Sequence, residues 1–160
     1  MHHIICNMKL LSQILHPENI LLDIAVSSKK RALEQIALLF ENQQGLERAA
    51  VFDSLFARER LGSTGLGGGV AVPHGRIKDM IAPYAAFARL AQPVAFDAPD
   101  GQPVDLLLVL VVPEAATQQH LDILAEVAQC LSDPKIVDAL RTETDATQIH
   151  RLLTGEQHNT

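Results

Sequence analysis

His74 stands between Pro73 and Gly75 at the end of a glycine-rich stretch, residues 62–76, GSTGLGGGVAVPHGR. A histidine is largely neutral near neutral pH, so a ring nitrogen can serve as a nucleophile, including toward phosphorus. The neighbours fix how the ring is offered: Pro73 sets its own φ and drives Val72 toward extended geometry, while Gly75 permits a sharp change of direction just after the ring. Arg58 and Arg60 lie at the entry to this stretch, where a guanidinium would stabilise oxygen charge during phosphoryl transfer. Their simpler role is to satisfy a helix C-terminus.

Other chemistries that use glycine-rich loops or histidines need spacings this chain lacks. Five of the nine glycines fall within residues 62–69, too many for a helix or an ordinary strand and suited to a close-approach loop. No Gly-Lys-Ser/Thr follows, and Val70 occupies the position that would complete G-x-G-x-x-G from Gly65, which argues against a nucleotide loop. Gly62-Ser63-Thr64-Gly65 is not the G-x-S-x-G elbow of a serine hydrolase. His150 and His158 fall in a terminal helix and tail, without the spacing of a zinc site. A glycine-rich hairpin connection carrying an ordinary turn histidine, with Thr64 a turn hydroxyl, stays open at this level.

Composition narrows the partners. A net charge of −6 without a basic run opposes nucleic-acid binding. With 48% hydrophobic and 20% charged residues, the 160-residue chain has the makings of one globular domain with a Leu, Ile, Val and Ala core. The longest apolar run, residues 106–112, is too short to span a bilayer and reads as a buried strand. Polar residues interrupt any signal-like segment near the start, so a cytoplasmic protein is expected. Cys6 and Cys130 lack metal-type spacing and no structural disulfide is expected. Residues 1–7 read as a disordered leader or cloning remnant, residues 8–154 as the domain and residues 155–160 as a tail.

The elements that must position these side chains can be drawn from periodicity and punctuation. An apolar segment at residues 20–24 precedes a helix capped by Ser27 or Ser28, with Leu33, Ile36, Ala37 and Phe40 on one face. A second helix runs from about Glu47 and stops before Gly62, which places Arg58 and Arg60 near its last turn. Strand-like stretches follow at residues 70–72, 85–90, 94–96 and 104–112. Thr117 then caps a helix through about Leu131, Asp133 and Pro134 start a short one, and a last helix spans residues 145–153. The fold class is α/β (α+β): a single domain with a mixed central sheet flanked by helices on both faces.

His120 follows Thr117 by three positions and shares the buried stripe of Leu124, Val127 and Leu131, so it is expected to point inward at the carboxyl end of a central strand. The adjoining helix N-terminus would favour an anion such as phosphate. If strands 70–72 and 104–112 are neighbours, the imidazoles of His74 and His120 can meet. A satisfied semi-buried histidine is the plainer alternative for His120.

Two long segments, RERLGSTGLGGGVAVPHGR and QPVDLLLVLVVPEAATQQHLDIL, resemble the enzyme IIA domains of the fructose and mannitol class in the bacterial phosphotransferase system, with similarity over residues 10–153. Within that class the chain is most similar to the nitrogen-regulatory enzyme IIA type, to which the opening LSQILHPENILLDI also corresponds. The resemblance implies that His74 accepts a phosphoryl group through Nε2 from an HPr-like, nitrogen-type phosphocarrier, with His120 as the second active-site histidine. It further implies that Arg58 contacts the phosphate region and that Thr64 supplies a hydroxyl near the accepting ring. No metal or nucleotide cofactor is required, and the protein would be a stoichiometric phosphoryl carrier with output to regulatory targets in nitrogen and potassium control. Gly68 departs from the family, where Asn or another polar residue is common. A sugar-specific IIA that passes phosphate to a IIB cysteine and a non-catalytic partner-binding module are the competing functions.

Overall fold

The computed structural model describes residues 8–115 and 118–155, except for the side chains of residues 119–121. Twelve elements follow in order: α1 (Lys9–Ser12), β1 (Leu15–Ile24), α2 (Lys29–Gln44), α3 (Arg48–Leu61), β2 (Gly65–Gly67), β3 (Val70–Ala71), β4 (His74–Ile77), β5 (Tyr84–Val94), β6 (Val104–Pro113), α4 (Gln118–Cys130), α5 (Pro134–Thr142) and α6 (Ala146–Thr154). Local chemistry sets many of the boundaries. The side chain of Ser28 accepts from the Arg31 N–H, Asp133 from Lys135 N–H and Asp145 from Thr147 N–H, each satisfying a donor that the helix itself leaves open.

The strands form one mixed sheet in the order β1-β5-β6-β3-β2, with β4 also paired to β6. β6 is central: β5 runs antiparallel to it, and β3 and β4 both run parallel along its other side. Alternation along the uninterrupted apolar run of β6 sends Leu106, Leu108, Leu110 and Val112 into one core and Leu107, Val109 and Val111 into the other. The first core is shared with α1, α4, α5 and α6, the second with α2 and α3. The expected mixed sheet with helices on both faces is therefore what the chain forms.

Several elements differ from the periodicity. β1 begins at Leu15 rather than Ile20, because an edge strand tolerates Pro17 where a central strand would not. The stretch expected at 85–90 and the first residue of the one expected at 94–96 belong to one strand, β5, with a register irregularity between Arg89 and Val94, while Ala95 and Phe96 lie beyond its end. β4 and the short β2 are additional strands that the sequence pattern did not announce, β2 lying within the glycine-rich stretch read as a loop, where its glycines pair with β3; the short helix α1 was not announced either.

The expectation for the cysteines also fails. Cys130, at the end of α4, is disulfide-bonded, and Cys6, the other cysteine, lies outside the described residues. Sequence spacing cannot report that α1 folds against α4, where the Glu126 carboxylate accepts the N–H groups of Leu10 and Leu11 at 3.2 and 3.4 Å. No helix among the described residues is long and apolar enough to cross a membrane.

Candidate functional site

Pro73 divides one sheet edge into two segments. Val70 and Ala71 of β3 pair with Leu106 and Leu107, and the ladder resumes with His74 opposite Leu110 and Ile77 opposite Pro113. Between them the Pro73 carbonyl accepts the Leu110 N–H at 3.0 Å, while proline itself has no N–H to give. His74 thus opens β4 as a member of a rigid sheet rather than as a turn residue.

Behind it, Gly75 makes room for α3. A Cβ at Gly75 would collide with Ser54 Oγ and lie 3.2 Å from the Ser54 backbone carbon, and Ser54 Oγ donates to the Arg76 carbonyl at 2.8 Å. This close approach sets the C-terminal end of α3 beside His74. The glycine is needed for proximity, not for an unusual φ.

The ring of His74 is oriented by the chain just before it. Nδ1 lies 3.0 Å from the Val72 carbonyl oxygen, an acceptor only, so the ring donates from Nδ1 and Nε2 keeps its lone pair. Burial holds the pKa of His74 below its ordinary value of 6.5; the Val72 hydrogen bond opposes this, the Arg58 charge adds to it and the Glu59 charge opposes it. A neutral ring with a defined tautomer and a free Nε2 is a competent nucleophile.

A groove of about 660 Å³ opens over this ring, lined by Ser54, Ala57, Arg58, Arg60, Leu61, His74, Gly75 and Arg76. Three guanidinium groups in one groove contrast with the acidic chain as a whole and suit a phosphoryl group. Arg58 is fixed by donation from Nη1 to the Gly62 carbonyl at 2.7 Å. Arg60 lies over the Phe56 ring at 5.3 Å, and Arg76 donates to the Glu114 carbonyl at 3.3 Å.

Thr64 is buried and is not among the residues lining the groove. Its hydroxyl donates to the Glu59 carboxylate, which also accepts the Thr64 N–H at 3.3 Å and pairs with Lys29 Nζ at 3.3 Å. Its own carbonyl accepts the Val72 N–H at 3.1 Å, which links it to the residue that orients His74. Gly68, where a side-chain contact was in doubt, is held by its backbone: its N–H donates to Asp100 at 2.9 Å and its carbonyl accepts from Arg141 at 2.6 Å.

The strands that carry His74 and lead to His120 are neighbours, as the meeting of the two rings requires. The backbone of His120 lies in the first turn of α4, beyond the carboxyl end of β6; its side chain, like the expected cap Thr117, lies outside the described residues. His150 is a buried histidine of α6 whose Nε2 is 2.7 Å from the Leu15 carbonyl, tying α6 to β1 away from the groove. Two residues were not anticipated. Arg76 sits two positions after His74, and Glu59 carries a buried carboxylate between two arginines of the site.

Comparison with known proteins points the same way. The family model described as phosphoenolpyruvate-dependent sugar phosphotransferase system, EIIA 2, matches residues 13–155. A nitrogen regulatory protein of Pseudomonas aeruginosa is 44% identical over 149 residues, covering 92% of this chain and 97% of that protein. Its counterpart in Escherichia coli K12 is 41% identical over 148 residues, covering 92% and 91%. The crystal structure of nitrogen regulatory protein IIA-Ntr from Neisseria meningitidis superposes with a TM-score of 0.86 at 48% identity, covering 91% of this chain and 99% of that one. The mannitol IIA of Escherichia coli shares the fold at a TM-score of 0.73 and 23% identity.

Proposed function

Because the chain belongs to the EIIA 2 family of the phosphoenolpyruvate-dependent sugar phosphotransferase system, we propose that His74 is its phosphoryl acceptor and that the protein is a regulatory phosphocarrier supplied by an HPr-like, nitrogen-type carrier. The observation that carries this reading is the geometry of one ring, whose Nδ1–H is committed to the Val72 carbonyl while Nε2 is left for attack in a groove of arginines.

The step balances without a cofactor. The Nε2 lone pair attacks the phosphorus of the phosphorylated carrier histidine, a P–N bond forms, and the P–N bond to the carrier breaks with its electron pair returning to the carrier nitrogen. A carrier ring protonated at its other nitrogen leaves as neutral imidazole. Positive charge develops on the His74 ring as it bonds phosphorus, so its Nδ1–H becomes a stronger donor to Val72 and that hydrogen bond favours the transition state. Arg58, with Arg60 and Arg76 alongside, meets the phosphoryl oxygens. His120 enters from the first turn of α4 as a supporting histidine, and Thr64 acts from beneath the groove.

Regulation rests on the names of the relatives, nitrogen regulatory proteins that this chain matches over nearly their whole length. Phosphorylation would replace a neutral imidazole in a cationic groove by a dianionic group, a change that a partner docking over His74 reads directly. The protein would act in the cytoplasm, where such carriers and targets meet. Incubation with phosphoenolpyruvate, enzyme I and an HPr-type carrier should give one acid-labile, alkali-stable label that is absent from His74→Ala. Normal labelling of that variant would move the site elsewhere, and no labelling of the unaltered protein by a cognate carrier would defeat the phosphotransfer reading.

A further inference from the structure

Lys29 and Glu59 occupy helix ends that oppose their charges. Lys29 is the first residue of α2, where the helix dipole disfavours a cation, and Glu59 lies in the last turn of α3, where it disfavours an anion. Both are withdrawn from water, with side-chain exposures of 15% and 1%. A buried ion pair is a weak source of stability because desolvation offsets much of the attraction. Placement against two helix dipoles weakens that source further, so the carboxylate needs another explanation.

The hydrogen bonds supply one. Glu59 accepts both the N–H and the hydroxyl of Thr64, while Arg58, its neighbour on α3, holds the Gly62 carbonyl. Consecutive residues therefore clamp the two ends of the Gly62-Ser63-Thr64 connection. The Thr64 carbonyl then fixes the Val72 N–H, and the Val72 carbonyl fixes His74 Nδ1. We propose that Glu59, held in place by Lys29, is a positioning residue for phosphoryl acceptance, acting through Thr64 and Val72 to keep His74 in the Nδ1–H tautomer with Nε2 free. This rests on His74 being the acceptor. The Glu59 charge also raises the pKa of His74, opposing Arg58, which places the carboxylate within electrostatic reach of the ring. The charged groups around this path are Lys29 from α2, Arg58 and Arg60 from α3, Arg76 from β4, and Asp97, whose carboxylate is 3.6 Å from Lys29.

The test uses the full chain with Glu59→Gln, Lys29→Met, Thr64→Val and Thr64→Ser. Nitrogen NMR of the unphosphorylated protein reads the His74 tautomer, and single-turnover labelling by phosphorylated carrier reads the rate separately from carrier affinity. Glu59→Gln and Thr64→Val should mix the tautomers and slow acceptance at least about tenfold with little change in carrier affinity, and Thr64→Ser should restore both readouts. Glu59→Gln should also lower the His74 pKa. Folded Glu59→Gln, Lys29→Met and Thr64→Val proteins with the native tautomer and rate would overturn the proposal. If Glu59→Gln does not fold, Thr64→Val, which keeps the N–H bond and removes only the hydroxyl, decides the matter. The tautomer is read without any phosphoryl donor, so failure of this inference is distinct from failure of His74 as acceptor.

Discussion

The Nδ1 of His74 and the carbonyl oxygen of Val72 lie 3.0 Å apart, so the ring is oriented by the backbone two residues before it. That contact determines which nitrogen faces the groove, and with burial it determines how the site responds to acid.

The pH dependence has a definite sign. Since burial depresses the pKa of His74 below 6.5, the neutral form persists to a lower pH than in a free imidazole. Phosphoryl acceptance should therefore persist to lower pH than for a free imidazole, with the midpoint of its decline below 6.5. For stability, the unfolded chain binds the proton more readily than the folded one, so the contribution of His74 is present above the ordinary histidine pKa and is lost as pH falls toward the depressed value. An NMR titration of the His74 ring checks the first claim. Urea midpoints of the unaltered protein and His74→Gln across the same range check the second. A midpoint near or above 6.5 for the ring would contradict both.

Arg58→Gln should slow labelling about 100-fold, the scale of losing one preorganised donor to a transferring group. It should also raise the His74 pKa, because the Arg58 charge lowers it. Single-turnover rates and the ring titration in the same variant test the two effects together; a slower rate with an unchanged pKa would mean that Arg58 acts on the phosphate alone.

Gly75→Ala should destabilise the fold by about 1–3 kcal/mol through overpacking of α3 on β4. Adding Ser54→Ala should recover part of the loss, because the hydroxyl oxygen is removed while the backbone of Ser54 remains 3.2 Å from the new methyl. Denaturant unfolding of the single and double variants measures this. No recovery in the double variant would place the conflict at the helix backbone.

Arg89→Met should cost about 1–3 kcal/mol for the buried acceptors it abandons. The Arg89 guanidinium donates to the carbonyls of Leu140 at 2.9 Å and Glu143 at 2.6 Å, closing the C-terminal end of α5, and pairs with Asp23 at 2.9 Å. Asp23→Asn should cost less, because Asp23 is solvent-exposed and asparagine tolerates its φ of 58°. Equal losses in the two variants would shift the importance from the helix end to the ion pair.

The helix starts near Ser28, Asp133 and Asp145 were readable to within a residue because a cap is a local event, settled within three residues of chain. The run that became β6 was readable because a short, Val- and Leu-rich apolar run bounded by turn residues suits a strand covered on both faces. β4 was not: His74-Gly75-Arg76-Ile77 has neither alternation nor a β-branched run, and its pairing with β6 comes from more than thirty positions away. His74 itself was conspicuous through its flanking proline and glycine, and the resemblance added Arg58, His120 and Thr64. Glu59 went unremarked, although a carboxylate in the last turn of a helix is disfavoured by the dipole and so signals a partner elsewhere. That partner, Lys29, is thirty residues earlier, beyond what spacing can reveal.

The closure of α3 over β4 also bears on solubility. A strand with an open edge invites stray chains to extend the sheet, and any site presented at such an edge carries that hazard through every encounter with a partner. Here the outward Arg76 carbonyl is taken by Ser54, and the helix presses against Gly75. The His74 ring can face passing proteins without offering them a template for aggregation.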